Sequence, residues 1–413
     1  MVPLYLVQLG ASPFDLGIMA AAAAIIGAPG AMLFGRLASG ASHRRSLVLF
    51  TLATAAVTLS VFPFLHTIAA VIAVNTALWF VVASVGPVVT MLVVEDAAES
   101  EWSTQIGVMN SYYGYGWAGG LVIGMVWPIV GSWFVPAGLA DLGLFWVLAV
   151  VAGLSTMSAA WTLPSPDGKA SVTSARTARR IARLLARSGT NVRGATFVFP
   201  ANRLFWATRG FRLTKLTAIL DSTLSVFLLA SGLFFAGFAV FWAPLPHLLA
   251  GIGLEPGPIF GLYLLSSLSG AVCFEPVGRL ARRVDSWWLV GGALALRGLL
   301  FPLVAIGAGL GFTALGSVVL GGLLLAVGMT WAVIAVVGTT IVTQLAPPGV
   351  RGEALGSYVA IGAVAGGLGS LLGGWLATFG FLLAFSVAGG LVVLGSALVI
   401  SLRDRSAGGA GDQ

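Results

Sequence analysis

The chain has 413 residues, which would allow several soluble domains, but 58% of them are hydrophobic and only 8% are charged. A water-soluble domain carries roughly a quarter charged residues, so the composition excludes a protein of that class. One cysteine, Cys273, and three histidines, His43, His66 and His247, are too few and too far apart for a disulfide framework, a metal site or a metal-dependent catalytic centre.

Eleven apolar stretches are long enough to cross a bilayer, which requires about 20 apolar residues per helix. In chain order they are 14–35, 46–65, 68–94, 106–130, 139–162, 223–247, 257–278, 286–309, 312–345, 354–377 and 380–402. They are preceded by residues 1–9, an apolar stub that is too short to cross. The sequence therefore predicts an all-α integral membrane protein with about 11 full transmembrane helices plus an N-terminal stub.

The basic residues lie on one side of these spans. Of the 21 Lys and Arg residues, all but Arg297 fall in connections on that side, and many of them lie between Lys169 and Lys215. Cytoplasmic connections carry such an excess, so we expect this side, the central loop and the C-terminus to be cytoplasmic in a plasma-membrane protein. The basic excess behind the net charge of +7 is then explained by the orientation in the membrane, and no nucleic-acid partner is expected.

The two halves of the chain resemble each other. At an offset of 243 residues the Gly-Arg-Leu-Ala run at 35–38 matches the run at 278–281, and Gly10 matches Gly253. A second match, at an offset of 249, pairs Gly107, Gly120 and Gly124 with Gly356, Gly369 and Gly373. Parallel repeats of this kind are typical of transporters that bind their solute between the halves, near the membrane midplane.

The repeat predicts the domains. They are two pseudo-symmetric helical bundles over 1–163 and 223–403, a basic cytoplasmic interfacial loop over 164–222, and a cytoplasmic tail over 404–413. The stub at 1–9 corresponds to 244–252, the outer end of the span at 223–247. We therefore expect that the first two thirds of the corresponding helix are missing, through a misplaced start or a real truncation, and that the chain as written is unstable or inactive.

The connection after the second span, with its repeat, carries a family motif. Its residues are Gly35, Arg36, Arg44 and Arg45 in the first half and Gly278, Arg279, Arg282 and Arg283 in the second. With the two halves and the basic central loop, it resembles the major facilitator superfamily over nearly the whole chain. The resemblance implies two six-helix bundles that rock about a central site.

The family motif has an acidic residue that latches one transport state. Ser39 and Arg282 stand at that position here, so the arginines of the motif either contribute to gating or only set the topology. The fourth-helix arginine of the family's drug/proton antiporters is also missing from the span at 68–94. Glu275 is a candidate coupling residue, or it pairs with Arg279 one helical turn later.

Candidate substrate contacts are the polar and aromatic side chains that recur at helical spacing inside the spans. They are Asn75, Trp79, Asn110, Tyr113, Trp117, Phe238 and Trp242, together with Arg297 in the middle of a span. Each aromatic group has a packing alternative. Arg297 either meets an anionic solute or bonds polar groups between helices, because a charge inside a membrane is costly unless it is functional or paired.

The function expected is secondary transport by alternating access, most naturally efflux of a mostly apolar or amphipathic compound. The alternatives are uptake of a sugar or an organic anion, and a non-transporting receptor or scaffold on a transporter fold. The partners expected are the lipid bilayer, a small solute and, at the basic loop, anionic headgroups. No enzyme activity, cofactor or metal is expected, and the protein is predicted to be a monomer.

Overall fold

The computed structural model describes residues 1–37, 44–83, 89, 102–134, 137–163, 223–281, 283–311, 313–346 and 351–408. Helices joined by short turns make up this part of the chain. They are α1 (Val2–Gln8), α2 (Pro13–Leu37), α3 (Arg44–Val61), α4 (Ile68–Val82), α5 (Trp102–Gly131), α6 (Ala137–Thr162), α7 (Thr223–Trp242), α8 (Leu245–Gly251), α9 (Pro256–Leu280), α10 (Ser286–Ala308), α11 (Ala314–Leu345), α12 (Arg351–Ala377) and α13 (Phe381–Gly408).

The helices confirm the predicted fold class. Within the described residues, nine stretches are long and apolar enough to cross a membrane, and the apolar parts of α2 and α4, Pro13–Gly27 and Ile68–Val82, are shorter. Each of the eleven predicted spans coincides with one of these regions. The predicted span at 68–94 continues into residues outside the described part. The predicted basic loop at 164–222 lies wholly outside it.

One predicted span is broken. The stretch at 223–247 forms two helices, α7 and α8, separated by a turn at Ala243 and Pro244. Pro244 and Pro246 have no backbone N–H and cannot donate the hydrogen bonds of a continuous helix. At the other end of the same half, α13 runs to Gly408, so the first residues of the predicted tail continue this helix.

The repeat is visible in the helix boundaries. Helices α1 and α2 occupy the positions of α8 and α9 shifted by 243 residues, and α5 begins 249 residues before α12. Gly10 and Gly253 are equivalent and have φ values of 83° and 87°, a region that glycine enters at little steric cost. In each half, the N–H of this glycine bonds the carbonyl three residues earlier, at 3.0 Å.

The second half has a core of phenylalanine rings and closely packed glycines. Phe241 stacks on Phe301 with ring centroids 4.1 Å apart and also contacts Phe385. A Cβ atom built on Gly298 of α10 would lie 2.8 Å from the carbonyl oxygen of Gly389 on α13. Glycines let helix backbones approach closely in membrane proteins, so α7, α10 and α13 form one tightly packed unit.

Candidate functional site

Two equivalent helix pairs join the halves. Helix α2 packs on α12, and α5 packs on α9, while α1 meets α8. The turns at 9–12, 65–67, 252–255 and 378–380 lie at the end of the bundle where the connections carry few basic residues, which we call the arginine-poor end. The helix pairs approach closely near this end, where Gly374 lies against Pro13 and Gly17, and Gly257 against Met125.

Between the halves lies a cavity of about 740 Å³. Its principal lining residues are Met1, Pro3, Leu16, Ala20, Asn75, Trp79, Trp117, Leu121, Ala239, Trp242, Pro246, Ile259, Phe260, Tyr263, Gly362, Gly366 and Ser370. None of the described lining residues has an acidic, basic or imidazole side chain. The cavity is therefore suited to a solute whose bound part carries no net charge, because burying an unpaired ion is costly.

Aromatic rings form one wall of the cavity. Trp242 of α7 and Tyr263 of α9 pack with ring centroids 5.6 Å apart. The indole Nε1 of Trp117 on α5 donates to Ser267 Oγ on α9 at 3.4 Å, which is a long bond between the halves. These rings present both apolar faces and polar edges, so the wall can stack against a flat solute and bond its rim.

Asn75 supplies the only side-chain amide among the described lining residues. It lies on α4 one turn before Trp79 and is 4% exposed. An amide group can donate and accept hydrogen bonds at once, so this position gives the otherwise apolar cavity a polar contact with directionality.

The structure brings four of the predicted substrate contacts together, because Asn75, Trp79, Trp117 and Trp242 all line the cavity. Phe238 and Arg297 lie in the core of the second half, and Tyr113 is outside the lining. The side chain of Asn110 is outside the described part of the chain.

Sequence reasoning missed Phe260, Tyr263, Ile259 and Ser370. The repeat relates most of them to other lining residues, since Leu16 and Ile259, Ala20 and Tyr263, and Leu121 and Ser370 are pairs at the offsets of 243 and 249, but none of their equivalents was a predicted contact.

Arg297 is buried among aromatic rings and polar atoms of the second half. Its Nη1 donates to the Val327 carbonyl oxygen at 2.7 Å and to Thr330 Oγ1 at 3.1 Å. The guanidinium carbon lies 4.4 Å from the centre of the Phe238 ring. The arginine therefore bonds polar groups between α10 and α11, which was one of the two predicted alternatives.

The described loop-motif residues are not among the lining residues of the cavity. Arg279 Nη2 is 3.3 Å from Glu275 Oε1, the predicted pair at one helical turn, and both side chains are largely exposed. Arg45 Nη2 donates to the carbonyl oxygen of Ala160. Gly278 and Arg283 are in the described part, whereas Arg282 and the side chains of Arg36 and Arg44 are outside it. Glu275 is thus not among the described residues that line the cavity.

The fold is shared with solved transporter structures. Two crystal structures of the nucleoside transporter NupG, one of a point variant, each cover 97% of this chain at 13% identity, with TM-scores of 0.68 and 0.65 and 94% and 93% of their own chains covered. The human organic anion transporter MFSD10 (TETRAN) covers 93% of this chain at 20% identity, with 83% of its own chain covered and a TM-score of 0.53. No protein-family profile and no curated protein sequence matches the chain.

Proposed function

We propose that this chain, which has the fold of major facilitator transporters, is a secondary transporter that carries a small, mostly apolar or amphipathic solute across the plasma membrane. The observation that carries the proposal is the cavity of about 740 Å³ between two repeat-related halves. A site shared by two halves can be opened to either side when they rock about it, which is what alternating access requires.

The lining favours an uncharged, flat solute or portion of a solute. Trp79, Trp117, Trp242 and Tyr263 offer ring faces for stacking, and Asn75 offers one amide for hydrogen bonding. A mostly apolar wall with a few placed polar groups is the usual composition of a small-molecule site. In this proposal the three tryptophans and Tyr263 bind the solute, and Asn75 orients it.

The close contacts near the arginine-poor end support a state that is closed there. Helices α2 and α12 approach at Gly17 and Gly374, and α5 and α9 approach at Gly124 and Phe260. If the arginine-rich side is cytoplasmic, the cavity is shut towards the outside. Efflux is the direction we propose, because an apolar solute reaches such a cavity from the cytoplasm or the inner leaflet.

Uptake of a polar solute is the second candidate. The similar structures are named as a nucleoside transporter and an organic anion transporter. The buried amide of Asn75 among stacking rings is the observation that favours a nucleobase-like solute over an aliphatic one.

The experiment is solute flux in proteoliposomes that contain the whole chain, with a panel of neutral aromatic, nucleoside and sugar solutes in both directions. Trp242→Leu should reduce flux of the best solute roughly tenfold, because stacking on an aromatic ring contributes about 0.5–1.5 kcal/mol beyond its buried area. Trp161→Leu is the matched control, since Trp161 lies on α6 with 75% of its surface exposed.

The flux measurements distinguish a transporter from a receptor or scaffold. Flux that depends on Trp242 and not on Trp161 supports transport through the cavity. Absence of flux for every solute, with a protein that co-purifies stoichiometrically, would instead favour a receptor or scaffold.

A further inference from the structure

Arg297 is a cation whose hydrogen bonds are only partly satisfied. The residue is 2% exposed, and its Nε is buried without a hydrogen-bond partner. Nη1 bonds a carbonyl and a hydroxyl oxygen, neither of which carries a negative charge. Guanidinium groups present a fork of N–H donors that matches an oxyanion, so the free Nε marks a position where an acceptor is missing.

The described carboxylates do not supply that acceptor. Glu275 pairs with Arg279, and Asp285 pairs with Arg403. Asp15 accepts from Ser12 near the start of α2. Glu255 is the N-cap residue of α9. All four carboxylates lie near helix ends, whereas Arg297 is near the middle of α10.

Aromatic rings surround the guanidinium. Its central carbon lies 4.4 Å from the ring centre of Phe238, 5.5 Å from that of Phe301 and 5.8 Å from that of Trp331. Ring faces attract a cation and keep water away from it, but they do not neutralise it. The charge is thus held in an apolar cage without a described counter-ion.

Phe238 connects this cage to the cavity wall. It precedes Ala239 and lies one turn before Trp242 on α7, and both of these residues line the cavity. It also packs edge-on against Phe235, 5.8 Å between centroids, and Phe235 contacts the lining residue Gly362. Phe238 therefore contacts the guanidinium and lies on the same helix as two residues of the cavity lining.

We propose that Arg297 is an anion-binding group for a carboxylate carried by the solute, reached when the Phe238 ring turns aside. The inference rests on the proposed function, because it takes the cavity as the solute site. The neutral part of the solute would stack on the cavity rings, and its carboxylate would bond Nε.

The test compares benzoate with benzamide, which share a ring and a similar shape but differ in charge. Binding to the purified whole chain in nanodiscs is measured by calorimetry for both probes, with acetate as a carboxylate that lacks the ring. We expect benzoate to bind roughly tenfold more tightly than benzamide, which corresponds to one hydrogen bond to a charged group. We expect acetate to bind far more weakly than benzoate.

Variants at Arg297 and Phe238 test whether the preference for benzoate depends on the guanidinium. Arg297→Met should abolish the preference for benzoate over benzamide, and Arg297→Lys, which keeps the charge, should retain part of that preference. Phe238→Leu should strengthen benzoate binding by removing the ring over the guanidinium. Phe301→Leu is its matched control, since Phe301 also contacts Arg297 but is in the Phe241 stack, and it should not strengthen benzoate binding.

Two results would overturn the role of Arg297 as the anion-binding group. One is equal affinity for benzoate and benzamide in the parent protein. The other is a preference for benzoate that survives in Arg297→Lys and Arg297→Met alike. Acetate binding as tight as that of benzoate would overturn the assignment to a cavity-bound solute. A preference that depends on Arg297 in a protein with no flux would reject transport and leave the anion site standing.

Discussion

The two interfaces that join the halves are related by the repeat but differ in side-chain size. Where α2 meets α12, the contact and the cavity lining include the small residues Gly17, Ala20, Gly366, Ser370 and Gly374, although Leu16 and Met19 of α2 also line the cavity. Where α5 meets α9, their equivalents include Trp117, Phe260 and Tyr263. At the first interface backbone contacts backbone, since a Cβ on Gly374 would lie 2.6 Å from the Pro13 carbonyl oxygen.

At the second interface the backbones also come close at one point, since a Cβ on Gly257 would lie 3.0 Å from the Met125 carbonyl oxygen, but at Gly124 a ring fills the space. A Cβ on Gly124 would lie 2.7 Å from the ring of Phe260, and a side chain can turn where a backbone cannot. The α2–α12 interface should therefore be rigid in spacing, whereas the α5–α9 interface should adjust its packing and provide the solute with its aromatic surface. Equivalent positions thus have distinct tasks in the two halves.

The largest effect is expected from Gly374→Ala at the small-residue interface. The added methyl meets the Pro13 carbonyl oxygen and the Cα atoms of Gly17 and Phe14, so α2 and α12 must separate. We expect a loss of stability of about 1–3 kcal/mol, as for an overpacked core, measured as thermal unfolding in detergent. Gly390→Ala is the control, because a Cβ there meets no atom within 4 Å. Equal stability of the two variants would contradict a rigid backbone contact.

A smaller and reversible effect is expected at the aromatic interface. Gly124→Ala should destabilise the protein, and Phe260→Leu in the same chain should recover part of that loss, because the smaller side chain leaves space for the methyl. A double-mutant cycle measures this coupling, for which contacting residues typically give about 0.5–3 kcal/mol. Strict additivity of the two substitutions would show that the interface does not adjust.

The smallest effect is expected from Ser267→Ala. It removes the bond from Trp117 Nε1, which is 3.4 Å long and exposed, so the change in unfolding free energy should be at most about 0.5 kcal/mol. Solute affinity should change little, because the indole ring remains in the cavity wall. A large loss of affinity would show that this bond, rather than the ring face, positions Trp117.

Much of this architecture could be predicted from the sequence because membrane helices are encoded locally. Apolar length identified the stretches that form the nine long apolar helices of the described residues and the shorter apolar parts of α2 and α4, and the offset of 243 residues predicted equivalent helices whose boundaries coincide in the structure. Trp117 and Trp242 were predicted as candidate contacts because each shares a helix face with another residue at helical spacing, Tyr113 and Phe238 respectively.

The remaining site residues could not be identified in that way. Tyr263 stands in a run of apolar residues where a ring facing lipid and a ring facing a cavity look alike. Its position became informative only through Ala20, the equivalent lining residue of the first half. Val327 and Thr330, which bond Arg297, lie on another helix some 30 residues away in sequence. Contacts between helices depend on rotation and tilt, which the apolar pattern does not fix.

The break between α7 and α8 has a consequence for how the site can be studied. Because Pro246 has no N–H, the carbonyl oxygen of Trp242 lacks the donor that an unbroken helix would provide four residues later. This oxygen belongs to a residue of the cavity lining, and a solute hydroxyl that reached it would bond the backbone rather than a side chain. Replacing side chains one at a time would leave that acceptor in place, and only a change that gives position 246 an N–H would reveal its part in recognition.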